Sequence, residues 1–160
     1  MPIGTLSAVG ALIAAMGSTA IGTWRSKYSH DDGFDLDAAI SGIDEMTGQE
    51  FESLFARILR VSGYSDVRIT SATRDGGIDV TGTHPDGRQV AFQCKRQMAK
   101  VGITVIRLLL GSMRGEYIDM IPCIVTTSEL TKPAFEYAQN EGVRIIDRPV
   151  LINWLEAFVS

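Results

Sequence analysis

From Thr47 onward the apolar residues switch between a helical period of about 3.6 and a strand period of two. That switching restricts the chain to a layered α/β domain. Phe51, Leu54, Phe55, Ile58 and Leu59 fall at i, i+3, i+4, i+7 and i+8, one apolar stripe along a helix. Thr47 with Glu50 three residues later forms a capping box at its start, and Gly63 ends it. Strands are expected near residues 67–70, 78–83 and 89–95, punctuated by Arg74-Asp75-Gly76-Gly77 and by the hairpin turn His84-Pro85-Asp86-Gly87.

A helix follows, with Val101, Val105, Leu108, Leu109 and Met113 on one side, then a buried strand over 121–126. A short helix begins after Thr131, with Pro133 in its first turn and Gly142 just past its end. A strand over 143–146 and a closing helix from Pro149 to about Phe158 complete the order α-β-β-β-α-β-α-β-α. This order predicts a mixed sheet, antiparallel at the front, with helices on its faces.

Upstream the chain changes character. Residues 1–24 carry no charged side chain and are followed by Arg25 and Lys27, with Trp24 and Tyr28 beside them. About 20 apolar residues suffice for a membrane helix, so residues 1–27 are expected to form an N-terminal apolar anchor helix spanning 4–24. Arg25 and Lys27 would keep the following domain on the cytoplasmic face of the cell membrane. The four glycines and several Ser and Thr of this segment also suit a soluble N-terminal helix. Residues 28–45 read as an acidic linker and 46–158 as the folded domain.

The formal charge of -4 argues against nucleic acid as a partner until its distribution is considered. Residues 28–52 hold eight acids and no Lys or Arg, which leaves 13 bases against 11 acids in 53–160. A basic face thus remains available. Cys94 and Cys123 sit in apolar runs and read as reduced, and two histidines, His30 and His84, are too few for a Cys/His zinc cluster.

Chemistry concentrates on the second and third strands. Asp79 follows two glycines, while Gln93 and Lys95 lie two residues apart and share a face opposite Val90, Phe92 and Cys94. A short hairpin makes the strands neighbours, so a carboxylate, an amide oxygen and an ammonium group can converge. The Cys94 carbonyl is a further oxygen donor, and such a set suits Mg²⁺. An ordinary antiparallel pair with one wet face places the same residue types similarly.

The ordered set Met46-Thr47-Gly48-Gln49-Glu50-Phe51-Glu52, Gly63-Tyr64, Asp75-Gly76-Gly77-Ile78-Asp79-Val80 and Gln93-Cys94-Lys95-Arg96 resembles the Mrr-type restriction endonuclease domain. Val101-Gly102, Arg107, Gly111, Val125-Thr126-Thr127-Ser128 and Ile146-Asp147 continue the likeness, which covers about residues 45–157. The resemblance implies the fold of the PD-(D/E)xK nuclease superfamily, with an α-β-β-β-α-β core, and hydrolysis of DNA phosphodiesters with Mg²⁺.

It further implies a metal-binding role for Asp79, a ligand role for Gln93 where the wider superfamily has Asp or Glu, and a catalytic role for Lys95. The family's helical acid falls on Glu52. Glu50 competes for that role, since both flank the apolar stripe, although the capping box already occupies Glu50. Asp75 reads as a turn residue, and Arg74, Arg96 and Lys100 as candidate contacts to DNA phosphates. Thr126, Thr127 and Ser128 read either as donors near the site or as helix caps.

The expected function is that of a type IV restriction-like deoxyribonuclease acting on foreign or modified DNA. A homodimer would supply two sites for double-strand cleavage. The alternative is a membrane-tethered DNA-binding module that keeps the nuclease fold without turnover. A small-molecule binding protein is disfavoured by the absence of a phosphate loop or dinucleotide fingerprint.

Overall fold

The computed structural model describes residues 42–70 and 77–159, with the backbone alone for 156–159. The expected anchor over 1–27, residues 28–41 of the linker, Arg74 and Asp75 lie outside the described residues. Among those described, no helix is long and apolar enough to cross a membrane.

Helix α1 (Gly48–Val61) starts as its sequence requires. Thr47 Oγ1 accepts from the Glu50 amide at 3.2 Å, and Glu50 Oε2 accepts from the Thr47 amide at 2.7 Å. Two of the amides that a helix leaves unpaired at its start are thereby satisfied. Phe51, Leu54, Phe55, Ile58 and Leu59 are all buried. Phe55 meets Phe92 at 5.0 Å and Trp154 at 6.0 Å between ring centroids, both edge to face. Each fully buried side chain of this size contributes about 1.5–3 kcal/mol.

Strands β1 (Ser65–Ile69), β2 (Val80–Thr83), β3 (Gln89–Lys95), β4 (Ile121–Thr126) and β5 (Arg144–Ile146) form one sheet in sequence order. The β1–β2 and β2–β3 pairs are antiparallel, and β3–β4 and β4–β5 are parallel. The parallel pairs are joined by crossover helices α2 (Ile103–Ser112) and α3 (Lys132–Asn140), and α4 (Arg148–Val159) closes the fold.

Alternate strand residues point to opposite faces, and the two faces are covered unequally. One carries α1 and α4 on Val80, Val90, Phe92, Cys94, Cys123, Val125 and Ile146. On the other, α2 and α3 pack on Ile124 and Ile145 of the parallel half. The antiparallel half of that second face floors an open cleft of about 1170 Å³.

Several expectations shift. Residues 43–45, assigned to the acidic linker, form a 3₁₀ turn whose Ile43 is 1% exposed within the core. Asp44 is anchored there by Arg148, with Nη1 to Oδ1 at 2.6 Å and Nη2 to Oδ2 at 2.9 Å. In α2 it is Ile106 and Leu109 that are buried, and Leu108 is 53% exposed. The buried stripe is rotated from the expected one.

Gly77 lies against the end of α2. A Cβ built there would fall 1.9 Å from Ser112 Oγ and 2.9 Å from the Leu108 carbonyl oxygen. Gly77→Ala is therefore expected to destabilise the fold by about 1–3 kcal/mol through overpacking. The urea midpoint should fall, and an unchanged midpoint would show that α2 yields freely at this position.

Candidate functional site

The antiparallel ladder leads directly into the site. Asp79 stands one residue before β2, not inside it as the sequence suggested. Its backbone still pairs on both sides, with the Thr70 amide donating to the Asp79 carbonyl at 2.9 Å and the Asp79 amide donating to the Phe92 carbonyl at 2.8 Å. Thr70 Oγ1 also donates to the Ile78 carbonyl. Asp79 is thus held by its neighbours while its carboxylate projects past the end of the ladder.

That carboxylate accepts from the Cys94 amide at 2.7 Å and from Gln93 Nε2 at 3.2 Å, both on Oδ2. The Cys94 amide is the next on β3 to face β2, and the Asp79 side chain satisfies it where no further β2 carbonyl is present. A residue's carbonyl faces the same side as its amide in a strand, so the Cys94 carbonyl borders this site. Burial, reinforced by Asp79 and Glu52, pushes the Cys94 thiol well above its usual range. A thiolate ligand is disfavoured, which leaves the carbonyl as the oxygen Cys94 can offer.

Gln93 is 3% exposed, more deeply placed than the wet face expected of it. Strand β3 is central, and Val90 to Cys94 are buried on both faces. With Nε2 committed to Asp79, Gln93 Oε1 is buried without a hydrogen-bond partner among the described residues. An orphaned buried acceptor costs about 1–3 kcal/mol. Its presence beside a carboxylate fits a cation as the missing partner, and oxygen-only donors suit Mg²⁺. Among the described residues no three His, Cys, Asp or Glu side chains gather as a metal cluster, so the donor set rests on the Asp79 carboxylate, the Gln93 amide oxygen and the Cys94 carbonyl.

Lys95 and Glu52 line the same cleft. Burial raises the Asp79 carboxyl above its ordinary value, while the Cys94 amide, Lys95 and Gln93 pull it back. Glu52 is likewise raised by burial and then by Asp79, with Lys95 opposing. The three charges thus sense one another across α1 and the β2–β3 pair. Glu50 is exposed and tied to Thr47, whose hydrogen bonds hold its carboxyl below the usual range. The structure brings Glu52 to the cleft and leaves Glu50 at the cap.

The other sequence candidates divide. Arg96 borders the cleft, but its Nη1 donates to the Asp44 carbonyl at 3.3 Å. Lys100 does not line it and lies 3.8 Å from Glu129. Thr127 and Ser128 neither line the cleft nor cap α3, whose cap is Thr131. Thr127 Oγ1 accepts from the Gln97 amide at 3.1 Å and Ser128 Oγ donates to the Met98 carbonyl at 3.1 Å, and Thr126 Oγ1 accepts from the Ser128 amide at 3.0 Å. These hydroxyls brace the segment after Lys95. Sequence reasoning missed Arg68 and Arg114, which do line the cleft. No sequence signal marked either one, since the register that sets Arg68 opposite Thr81 is fixed only by strand pairing.

Comparison with solved structures gives a similar fold in the DNA modification-dependent restriction endonuclease AspBHI, at 20% identity and a TM-score of 0.57, covering 78% of this chain and 36% of that one. MspJI restriction endonuclease in complex with a 27-mer oligonucleotide matches at 21% identity and a TM-score of 0.49, over 89% and 31% of the two chains. A protein of unknown function, AF1548, matches at 20% identity and 0.49, over 60% and 55%. The chain spans about half or less of the length of these structures. Comparison with curated proteins yields no match. A sequence model of the Mrr catalytic domain, described as a restriction endonuclease, matches residues 43–155. The chain belongs to the Mrr-type restriction endonuclease family.

Proposed function

We propose that this chain is a Mg²⁺-dependent endonuclease that hydrolyses DNA phosphodiester bonds in the restriction of foreign or modified DNA. The observation that carries the reading is the buried, unpartnered Gln93 Oε1 beside the Asp79 carboxylate, in a cleft shared with Lys95 and Glu52. Asp79, Gln93 and the Cys94 carbonyl are the groups that would hold the ion. When bound, a divalent ion supplies Lewis-acid polarisation of the phosphate and a more acidic water.

The chain's own residues do the rest. Lys95 offsets the negative charge that develops on the phosphate oxygens. Glu52 accepts a hydrogen bond from the attacking water and orients it towards phosphorus. The Asp79–Cys94 and Asp79–Gln93 hydrogen bonds keep the acceptors aligned before substrate arrives. A type IV, modification-dependent activity, a dimer for double-strand cuts, and tethering to the membrane through residues 4–24 belong to the same proposal.

One observation favours a second reading, a non-catalytic DNA-binding module. Gln93 is neutral and donates to Asp79, so it draws a cation less strongly than a carboxylate in its place. Plasmid nicking in Mg²⁺ separates the two. The full chain is expected to nick, and Asp79→Ala and Lys95→Ala each to reduce nicking at least about 100-fold. DNA binding without any cleavage would leave the module reading.

The two glutamates separate by the same assay. Glu52→Gln is expected to lower turnover about tenfold or more, while Glu50→Gln keeps turnover near the parent's and affects only the helix cap. Equal losses in both would remove Glu52 from the site.

Stability without metal gives an independent check. Because the folded-state pKa of Asp79 is raised, its metal-free stability contribution is greatest below the unfolded-state pKa and is lost as pH rises through the folded value. At neutral pH in chelator, Asp79→Asn should therefore raise Tm by about 2–5 °C. The gain should vanish on acidification, and a lower Tm at neutral pH would refute the burial argument.

A further inference from the structure

The cleft extends beyond the group around Asp79 along the open face of the antiparallel strands. Thr81 lies two residues after Asp79, about 6.6 Å further along the strand and on the same face. Its cross-strand partner on the outer strand is Arg68. The opposite border is formed where α2 ends, and Arg114 stands just beyond that helix. Both arginines line the cleft, both are exposed, and neither has an ion pair or hydrogen-bonded side-chain partner among the described residues.

Several other basic residues of the domain are engaged. Arg148 is bound to Asp44, Arg88 to Asp86, Arg96 to the Asp44 carbonyl, Arg60 to the Val67 carbonyl, and Arg107 lies over the Tyr137 ring. Asp66 and Glu116 also border the cleft, but no ion pair joins either to an arginine among the described residues. An uncommitted guanidinium presents a planar fork of donors matched to a phosphate.

We infer that Arg68 and Arg114 contact the DNA backbone on either side of the scissile phosphate, which lies beside Lys95 in the cleft. This rests on the nuclease reading and moves the expected phosphate contacts away from Arg96 and Lys100. Such contacts position the duplex and carry no sequence information of their own.

The test uses full-length chain with Asp79→Asn to prevent cleavage, and a labelled short DNA duplex titrated at several salt concentrations. Arg68→Ala and Arg114→Ala are each expected to weaken binding about tenfold. Each should also flatten the dependence of log affinity on log salt by about 0.9, the signature of one fewer neutralised phosphate. Arg68→Lys should restore most of the slope, which a purely structural role would not predict. Lys100→Ala and Lys132→Ala should leave both affinity and slope unchanged.

Binding and slope equal to the parent's in both arginine variants would overturn the inference while leaving the nuclease reading intact. A parent that neither binds DNA nor, with Asp79 restored, nicks it would overturn both. Equal slope losses in Lys100→Ala would also overturn it, by showing that the cleft is not the path of the backbone.

Discussion

Everything at the candidate site depends on one half-buried carboxylate taking the place of a strand. Where β2 begins, the Asp79 side chain accepts the Cys94 amide at 2.7 Å that a longer β2 would have paired. That bond holds the carboxylate against β3 and draws Gln93 into it at 3.2 Å. The cost is a desolvated charge, visible in the raised carboxyl of Asp79. Among the described residues this charge has no salt bridge, and the amide oxygen beside it has no partner. Both features are what the proposed cation would satisfy.

The space for a substrate follows from the sheet's mixed topology. Two successive parallel connections carry α2 and α3 to the same face, as crossovers of one hand require. The antiparallel hairpins need no crossover, so among the described residues no helix is delivered over β1 and β2 on that face. One half of the sheet is consequently core on both sides and the other half is a floor. The same division explains why Gln93 is buried although it belongs to the polar register. It sits on the central strand, at the border between the covered half and the open one.

The segment that follows Lys95 is secured from a distance in sequence. Thr127 and Ser128 hold the backbone of Gln97 and Met98, and Arg148 reaches both the Thr127 carbonyl and the Asp44 carboxylate. The Asp44–Arg148 pair is part-exposed, and a bidentate geometry is what makes a pair of this kind more than incidental. It joins the first turn of the domain to its last helix. Residues near both ends of the domain therefore brace the loop beside the site.

The sequence by itself determined the order and type of every described strand and α-helix, because hydrophobic period, capping residues and turn chemistry are local properties. Thr47 with Glu50, Gly63, Thr131 with Pro133, and the strands at 89–95 and 121–126 were legible for that reason. It also placed Asp79, Gln93 and Lys95 together, since a hairpin makes neighbours of residues close in the chain. Tertiary structure decided what depends on cover and distance. It buried Gln93, chose Glu52 over Glu50 for the cleft, drew residues 43–45 into the core, and turned Arg68 and Arg114 towards the open face in place of Lys100. Burial and convergence arise from how layers stack, and no pattern within a single strand or helix carries that information.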